Sequence, residues 1–524
     1  MTGIASGVRS VGLVRFWRAV GGVATHALLC RGLGLHGYGV LALAYSVLGL
    51  VKIFDLNTQE ALQALVPLLR GEGEDGRARR LALLSFACNV GVALLGSAAL
   101  VLFAGPIALF YAEPELAPAL RAVALLNLVP VVRGPLDPDL LMGLRCYRPF
   151  VVYRALELVG SLLAALLTLV LHLSPAGSLL CLVVASLPSA LFTLSLWPGT
   201  ARTTLHGEAD SWPVQRFLRF SLPLTLSQAL YRVYAHAGTA LVGGVLSVPA
   251  AGLHRFAVQI AELSAEFLGT VPQVLQPLLA RARTQGKEAF SRLFREVFDA
   301  TLQLAAPAAM LLIATAPWLV RLLGREEFQA ASPLLEILAL QVLFRTCSNP
   351  CYRALLAQEK SFPCSILSLI KVPLEMGAVV VLVQAVGLPG ASWAHAFAAF
   401  LALLGLLALV RRFVPGGRFL DIAAMTRDCC SVIVFFFLVH WIESFFGNAF
   451  LVRAIVVLGT LLIVALRLTR GARGRTGERL LREEILAGVP LLGRKVAGGA
   501  ASVSAAPVIP DGPAAERRGD ASHV

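Results

Sequence analysis

Charge is scarce in this chain. Asp, Glu, Lys and Arg make up 15% of its 524 residues, where a soluble domain carries roughly 25%, so a large water-exposed catalytic head is excluded. Long polar stretches are missing as well, and every loop between apolar segments is short. Cysteine follows no framework. The nine thiols at 30, 88, 146, 181, 347, 351, 364, 429 and 430 are scattered, mostly inside apolar runs, and read as small buried hydrophobes. Neither a disulfide scaffold nor a zinc site is predicted, and Cys347 and Cys351, four apart, have no His or Cys companion to complete a metal pair. Acidic residues are the minority, 31 against 45 basic ones, which are nearly all arginine, for a net charge of +14.

Apolar residues fill the gap. They make up 57% of the chain, and the mean hydropathy is +0.77. At about 20 residues per spanning helix this is material for a dozen or more spans. The expected fold is an all-α polytopic membrane protein with about 14 transmembrane helices. The first runs from Val11 to Leu33, with Arg15 and Arg18 in its middle and no small-residue cleavage site, so it reads as a helix and not as a removable signal. Further helices are expected near 39–66, 79–106, 115–142, 148–172 and 176–196, then near 214–244, 250–278, 291–320, 330–356, 362–387 and 389–411, and last near 427–446 and 449–468. This gives an N-terminal six-helix lobe over 9–196, a C-terminal six-helix lobe over 214–411, an additional helix pair over 427–468 and a cytoplasmic tail over 469–524. The tail is expected to be largely disordered, apart from a short amphipathic stretch from Glu478 to Leu486.

Arginine clusters fall after every second helix, including Arg70, Arg77, Arg79 and Arg80, then Arg281 and Arg283, then Arg411 and Arg412. The intervening loops, such as Pro106 to Pro114, carry few or none. By the positive-inside rule both termini are cytoplasmic. The two lobes also resemble each other. Pro67-Leu68-Leu69 and Pro277-Leu278-Leu279 each precede a basic loop, and RALELVGSLL (Arg154, Glu157, Gly160) resembles KVPLEMGAVV (Lys371, Glu375, Gly377). An even number of helices per repeat makes the repeat parallel, with a central cavity between the lobes.

Two motifs carry a more specific signal. GLGLHGYGVLALAYSVLGLVKIFDLNTQEALQALVPLLRG contains a Gly-x-x-x-Tyr-Gly loop, with Gly37, Tyr38 and Gly39, followed by a helix that ends in a stretch beginning with Asp55-Leu56. FLRFSLPLTLSQALYRVYAHAGTALVGGVLSVPAAGLHRFAVQIAEL contains Phe220, Pro223 and an Ala-Gly before the eighth helix. From about residue 5 to 415 the chain resembles the polysaccharide flippase branch (O-antigen and oligosaccharide-lipid type) of the multidrug/oligosaccharidyl-lipid/polysaccharide exporter superfamily. It departs from that branch at Asn57, where Gly is usual. The resemblance implies a flippase without covalent chemistry or cofactor, residing in the bacterial inner membrane. The implied substrate is an undecaprenyl-pyrophosphate-linked oligosaccharide, moved by alternating access for surface polysaccharide and lipopolysaccharide biosynthesis. Membrane lipids, a polysaccharide polymerase and glycosyltransferases are the implied partners. Nucleic acid is not among them.

Charges inside the membrane cost several kcal/mol on most scales, so those that persist face a cavity or a partner. Lys52 with Asp55, Arg154 with Glu157 and Lys371 with Glu375 are spaced as structural ion pairs along a helix. Arg15, Arg18, Arg232 and Arg255 have no acidic residue one turn away. They are assigned to the cavity, where paired guanidinium hydrogen bonds suit phosphate. Gln228, Tyr231 and Gln259 are assigned to the sugars. Glu262 and Glu266 continue the stripe of Arg255 and Gln259 and either counter the arginines or exchange ions. His236 and His254 read as packed or solvated side chains. Asp137 and Asp139 form the nearest approach to a metal-binding Asp-x-Asp but belong to the fourth helix, so no metal site is expected. An ion-coupled small-molecule drug exporter, a lipid II flippase and a membrane polymerase or ligase are the alternatives. A drug exporter calls for an acidic cation site, and an enzyme for a large outer loop or a surface-placed acidic motif.

Overall fold

The computed structural model describes residues 2–55, 58–144, 146–203, 214–358, 360–414, 422–446, 453–454 and 457–459. All regular structure among them is helical. Among the described residues ten helices are long and apolar enough to cross a membrane, and the protein is a multi-pass membrane protein. Its burial pattern fits that solvent. Leu95, Leu102 and Leu109 on the third helix are 75%, 73% and 82% exposed, while Ala82, Ala93, Ala104 and Ala108 of the same helix are buried. Large apolar side chains face lipid, and small ones let helices approach each other. Hydroxyls inside helices satisfy themselves, as Thr25, Thr168 and Thr301 each donate to the carbonyl four residues back, a requirement where no water is present.

Helix α1 spans Thr2–Val51 and bends at Gly34, whose φ of 68° lies in the left-handed region. A residue without Cβ adopts that geometry at little cost. The loop expected between the first two spans is therefore a single hinge residue. The expected helix over 39–66 is corrected too. Helix α1 ends at Val51, Lys52–Phe54 form a 3-10 turn, Asp55 is extended, and the chain resumes helix as α2 (Thr58–Gly71). Helix α3 spans Asp75–Phe110. The expected helix over 115–142 is three pieces, α4 (Leu116–Asn127), α5 (Val129–Arg133) and α6 (Pro138–Gly143). Pro130, Gly134, Pro135 and Pro138 account for the interruptions, since each proline removes a backbone donor. Asp137 and Asp139 stand at the start of α6, not deep in a span, and Asp137 is paired with Arg133 at 3.2 Å.

Helices α7 (Tyr147–Leu171) and α8 (Pro175–Thr203) complete the first series. The second series comprises α9 (Val214–Val245), α10 (Val248–Gln285), α11 (Lys287–Leu323), α12 (Ser332–Ala357), α13 (Ser361–Val386) and α14 (Leu388–Phe413). Ser247 caps α10 by accepting from the Ala250 amide, ahead of Pro249 in the first turn. Within the first series α1 packs on α7 and α4. Within the second, α12 packs on α10, α11 and α14, and α9 on α13.

Helix α15 (Ile422–Phe446) packs outside the second series on α11 and α12. A buried ionic knot fastens this end of the chain. Glu336 of α12 accepts from Arg453 at 2.8 Å and lies 3.1 Å from His440 Nε2, and Arg453 also donates to the Ile313 carbonyl. Most of the expected last span and the whole tail from 469, including Glu478 to Leu486, lie outside the described residues.

Candidate functional site

The two series meet along a seam formed by α1 with α9 and α10. One end of that seam is tightly closed. Arg31 donates to the Leu322 carbonyl at 2.5 Å, and the Leu35 amide donates to Glu327 at 3.0 Å. Tyr38 lies edge-on to Phe256 and Phe328. Gly252 of α10 sits against the backbone of Gly39, where a Cβ would be 3.0 Å from the Gly39 Cα and 3.1 Å from the Leu35 carbonyl. The Gly-x-x-x-Tyr-Gly motif is thus the closure of this end, read as backbone-to-backbone contact. His36, Glu113 and Glu115 bring three potential ligand atoms together near the same end.

Deeper in the seam, the interruption of the second span acquires a purpose. Arg232 of α9 donates one guanidinium nitrogen to the Lys52 carbonyl and the other to Asp55 at 2.8 Å. The first contact reaches a carbonyl of the 3-10 turn that also accepts from the Asp55 amide, and the second neutralises the arginine. Lys52 interacts electrostatically with Asp55, but the direct partner of that carboxylate is Arg232, because the chain leaves the helix at Asp55. Next to this junction His236 packs on Gly49, where no Cβ could stand.

Arg255 on α10 donates to Gln259 at 2.8 Å and to the Ala235 carbonyl, with Glu262 at 3.9 Å. Helical spacing puts these side chains on one stripe. Opposite the stripe stands Arg345 of α12, which hydrogen-bonds Tyr231 and interacts electrostatically with Tyr234, Glu262 and Glu266. Glu266 also interacts with Arg18, which is exposed and close to Arg154 and Glu157. Arg154 pairs with Glu157 at 2.8 Å, and Lys371 with Glu375 at 3.7 Å. Arg15 lies on α1, with its side chain outside the described residues, and Gln228 is half-buried on α9.

Three polar groups of the site are absent from the sequence reading. Arg345 stands in the middle of α12, within the span expected over 330–356, but is not among the arginines assigned to the cavity from the sequence. Arg133 beside Tyr153 and Asp137 belongs to the interrupted fourth span. His395 joins His254 at 3.2 Å in a buried pair beside Glu375, so His254 is part of a polar chain and not an isolated packed ring. Cys347 is buried with its thiol hydrogen-bonded to Cys429 of α15, an assignment that suits a structural thiol.

The described residues form a helical membrane protein with a polar seam between two packed series. The chain belongs to the family described as "Polysaccharide biosynthesis protein", whose profile it matches over residues 28–333. No curated protein matches the chain significantly. Its fold is similar to that of the lipid II flippase MurJ in an inward closed conformation, at 14% identity and a TM-score of 0.66, covering 88% of this chain and 98% of the other. It is similar as well to an inward-facing multidrug resistance MATE family transporter of the MOP superfamily, at 12% identity and a TM-score of 0.65, covering 80% and 99%. A third likeness is the eukaryotic MATE transporter AtDTX14, at 13% identity and a TM-score of 0.56, covering 82% and 100%.

Proposed function

We propose that this protein flips an undecaprenyl-pyrophosphate-linked oligosaccharide across the bacterial cytoplasmic membrane, with both termini on the cytoplasmic side. The reading treats helices over 9–196 and 214–411 as two lobes that alternate access to the cavity between them. The observation that carries it is the gathering of arginines from separate helices on a polar seam, in a chain of a polysaccharide biosynthesis family. A pyrophosphate linkage presents two anionic groups, and Arg18, Arg255 and Arg345 offer guanidinium forks to them. Arg232 contributes by holding the seam through Asp55 and reaches substrate once that contact opens. Gln228, Tyr231 and Gln259 meet the sugar hydroxyls.

Glu262 and Glu266 fit the role of counter-ions. In an empty cavity they neutralise Arg255 and Arg345, and an arriving pyrophosphate replaces them. An acidic cation site for drug export is less well supported, because each of these carboxylates already interacts with an arginine. The implied partners are a polymerase and glycosyltransferases acting on the same lipid.

The test is accumulation of lipid-linked oligosaccharide in the inner leaflet of cells producing the Arg232→Ala, Arg255→Ala double variant at wild-type level. Export should fall at least tenfold, since each charged contact to phosphate is worth about 1.5–3 kcal/mol. Arg255→Lys should recover part of it, keeping charge without the fork. Full export by the double variant would remove the arginine-lined site.

A further inference from the structure

The second helix series contains a buried chain of titratable groups for which phosphate or sugar binding has no use. Thr239 Oγ1 of α9 lies 3.3 Å from His254 Nδ1 of α10, and His254 Nε2 lies 3.2 Å from His395 Nε2 of α14. His395 Nδ1 lies 2.5 Å from Glu375 Oε1 of α13. Glu375 is fully buried, its other oxygen has no hydrogen-bond partner, and Lys371 Nζ stands 3.7 Å from it. Four helices are tied together by one file of side chains.

With both imidazoles in the neutral form, donor accounting orients the protons in that file. An ionised Glu375 can only accept, so His395 donates from Nδ1 and accepts at Nε2. His254 must then donate from Nε2 and accept at Nδ1, and the Thr239 hydroxyl donates to it. Lys371 balances Glu375. One added proton has a clear path. It binds His254 Nδ1, the Nε2 proton of His254 passes to His395 Nε2, and the Nδ1 proton of His395 passes to Glu375. Every hydrogen bond in the file then reverses, Thr239 becomes an acceptor, Glu375 is neutral, and Lys371 is left as an uncompensated cation. The open end of the file lies beside the polar stripe of α10, because Thr239, His254 and His395 line one small cavity with Tyr234, Gln341 and Glu262.

We propose that Glu375, His395 and His254 form a proton-binding site, and that its occupation tightens binding of the anionic substrate. The inference rests on the pyrophosphate reading above. Its sign follows from charge: the proton adds one positive charge beside Glu262 and Arg345, on the side of the polar stripe that receives an anion in that reading, and two ligands that favour the same state bind cooperatively in both directions. The neighbouring charges do not mask this. Arg255 and Glu262 on α10 interact with each other, Arg345 on α12 faces Glu262 and Glu266, and Tyr231 and Tyr234 of α9 are phenols. Lys371, lying 4.2 Å from the Tyr234 ring centre, is the group whose partner disappears.

The experiment uses the full chain in lipid nanodiscs with farnesyl pyrophosphate as the probe. The dissociation constant is measured at pH 8 and pH 6 for wild type, Glu375→Gln and His395→Gln, each checked for a monodisperse folded state. Wild type should bind at least fivefold more tightly at pH 6 than at pH 8, beyond any change shared with His395→Gln, which reports the ionisation of the probe. Glu375→Gln imitates the protonated carboxyl and should bind at pH 8 as tightly as wild type does at pH 6. A folded Glu375→Gln with the wild-type pH response, or with weak binding at both pH values, overturns the proposal. Nitrogen-15 NMR of labelled histidines without probe separates this reading from the substrate reading. A two-histidine tautomer change that is lost in Glu375→Gln, together with no probe binding at any pH, keeps the proton site and overturns the pyrophosphate substrate. Histidine spectra that do not change between pH 8 and pH 6 overturn the proton site whatever the probe does.

Discussion

Replacing Asp55 by Asn should loosen the seam without removing any cavity-lining arginine. In the structure Arg232 bridges the two helix series by donating to Asp55 at 2.8 Å and to the Lys52 carbonyl, and the two ionic side chains are 20% and 24% exposed. A hydrogen bond involving a charged group contributes about 1.5–3 kcal/mol and a neutral one about 0.5–1.5. Asn keeps an acceptor of the same shape, so the loss is about 1 kcal/mol, a shift of roughly fivefold in any equilibrium between this arrangement and one with the seam open. Spin labels on Arg79→Cys and Lys287→Cys, exposed on opposite sides of the seam, would report that equilibrium as a distance distribution in a background lacking the native cysteines. The longer-distance population should grow about fivefold in Asp55→Asn, and Arg232→Gln should do the same. The double variant should add little to either single change, since both remove one interaction. Identical distributions in wild type and both single variants would refute the bridge as a determinant of conformation.

Reporter fusions after Leu173 and Gly387 should lie outside the cytoplasm and those after Gly73 and Gly286 inside, and one robust reversal would overturn the assigned orientation. Gly252→Val should prevent closure at the Gly39 contact, where even one methyl meets backbone at 3.0–3.1 Å. Overpacking of this kind costs about 1–3 kcal/mol or more, so transport should fall while labelling of residues near Tyr38 rises. Unchanged labelling would show that this end of the seam yields easily. Glu336→Ala should reduce folded protein by leaving buried Arg453 without its carboxylate, a loss of about 3–5 kcal/mol for a broken buried pair, read as a lower melting temperature and faster proteolysis within α15.

The solvent is written in the composition. Scarce charge, long apolar runs and arginines clustered in alternate loops make a polytopic helical membrane protein, because the bilayer imposes helix length and backbone satisfaction without reference to neighbours. The sequence also shows that α10 carries a single polar stripe, since Arg255, Gln259, Glu262 and Glu266 are related by helical spacing alone. Interruptions within spans were less legible. The hydropathy of Leu48 to Val66 does not reveal the break at Asp55, which is held by an arginine 177 residues away. The pairings across helices come from packing alone: Arg232 with Asp55, Arg345 with Glu262 and Tyr231, Glu336 with Arg453, and the file from Thr239 through His254 and His395 to Glu375. Periodicity fixes which residues of one helix share a face, but not which faces of two helices meet. In a bilayer, where nearly every helix surface is apolar, few sequence features distinguish the face that meets a partner from the face that meets lipid.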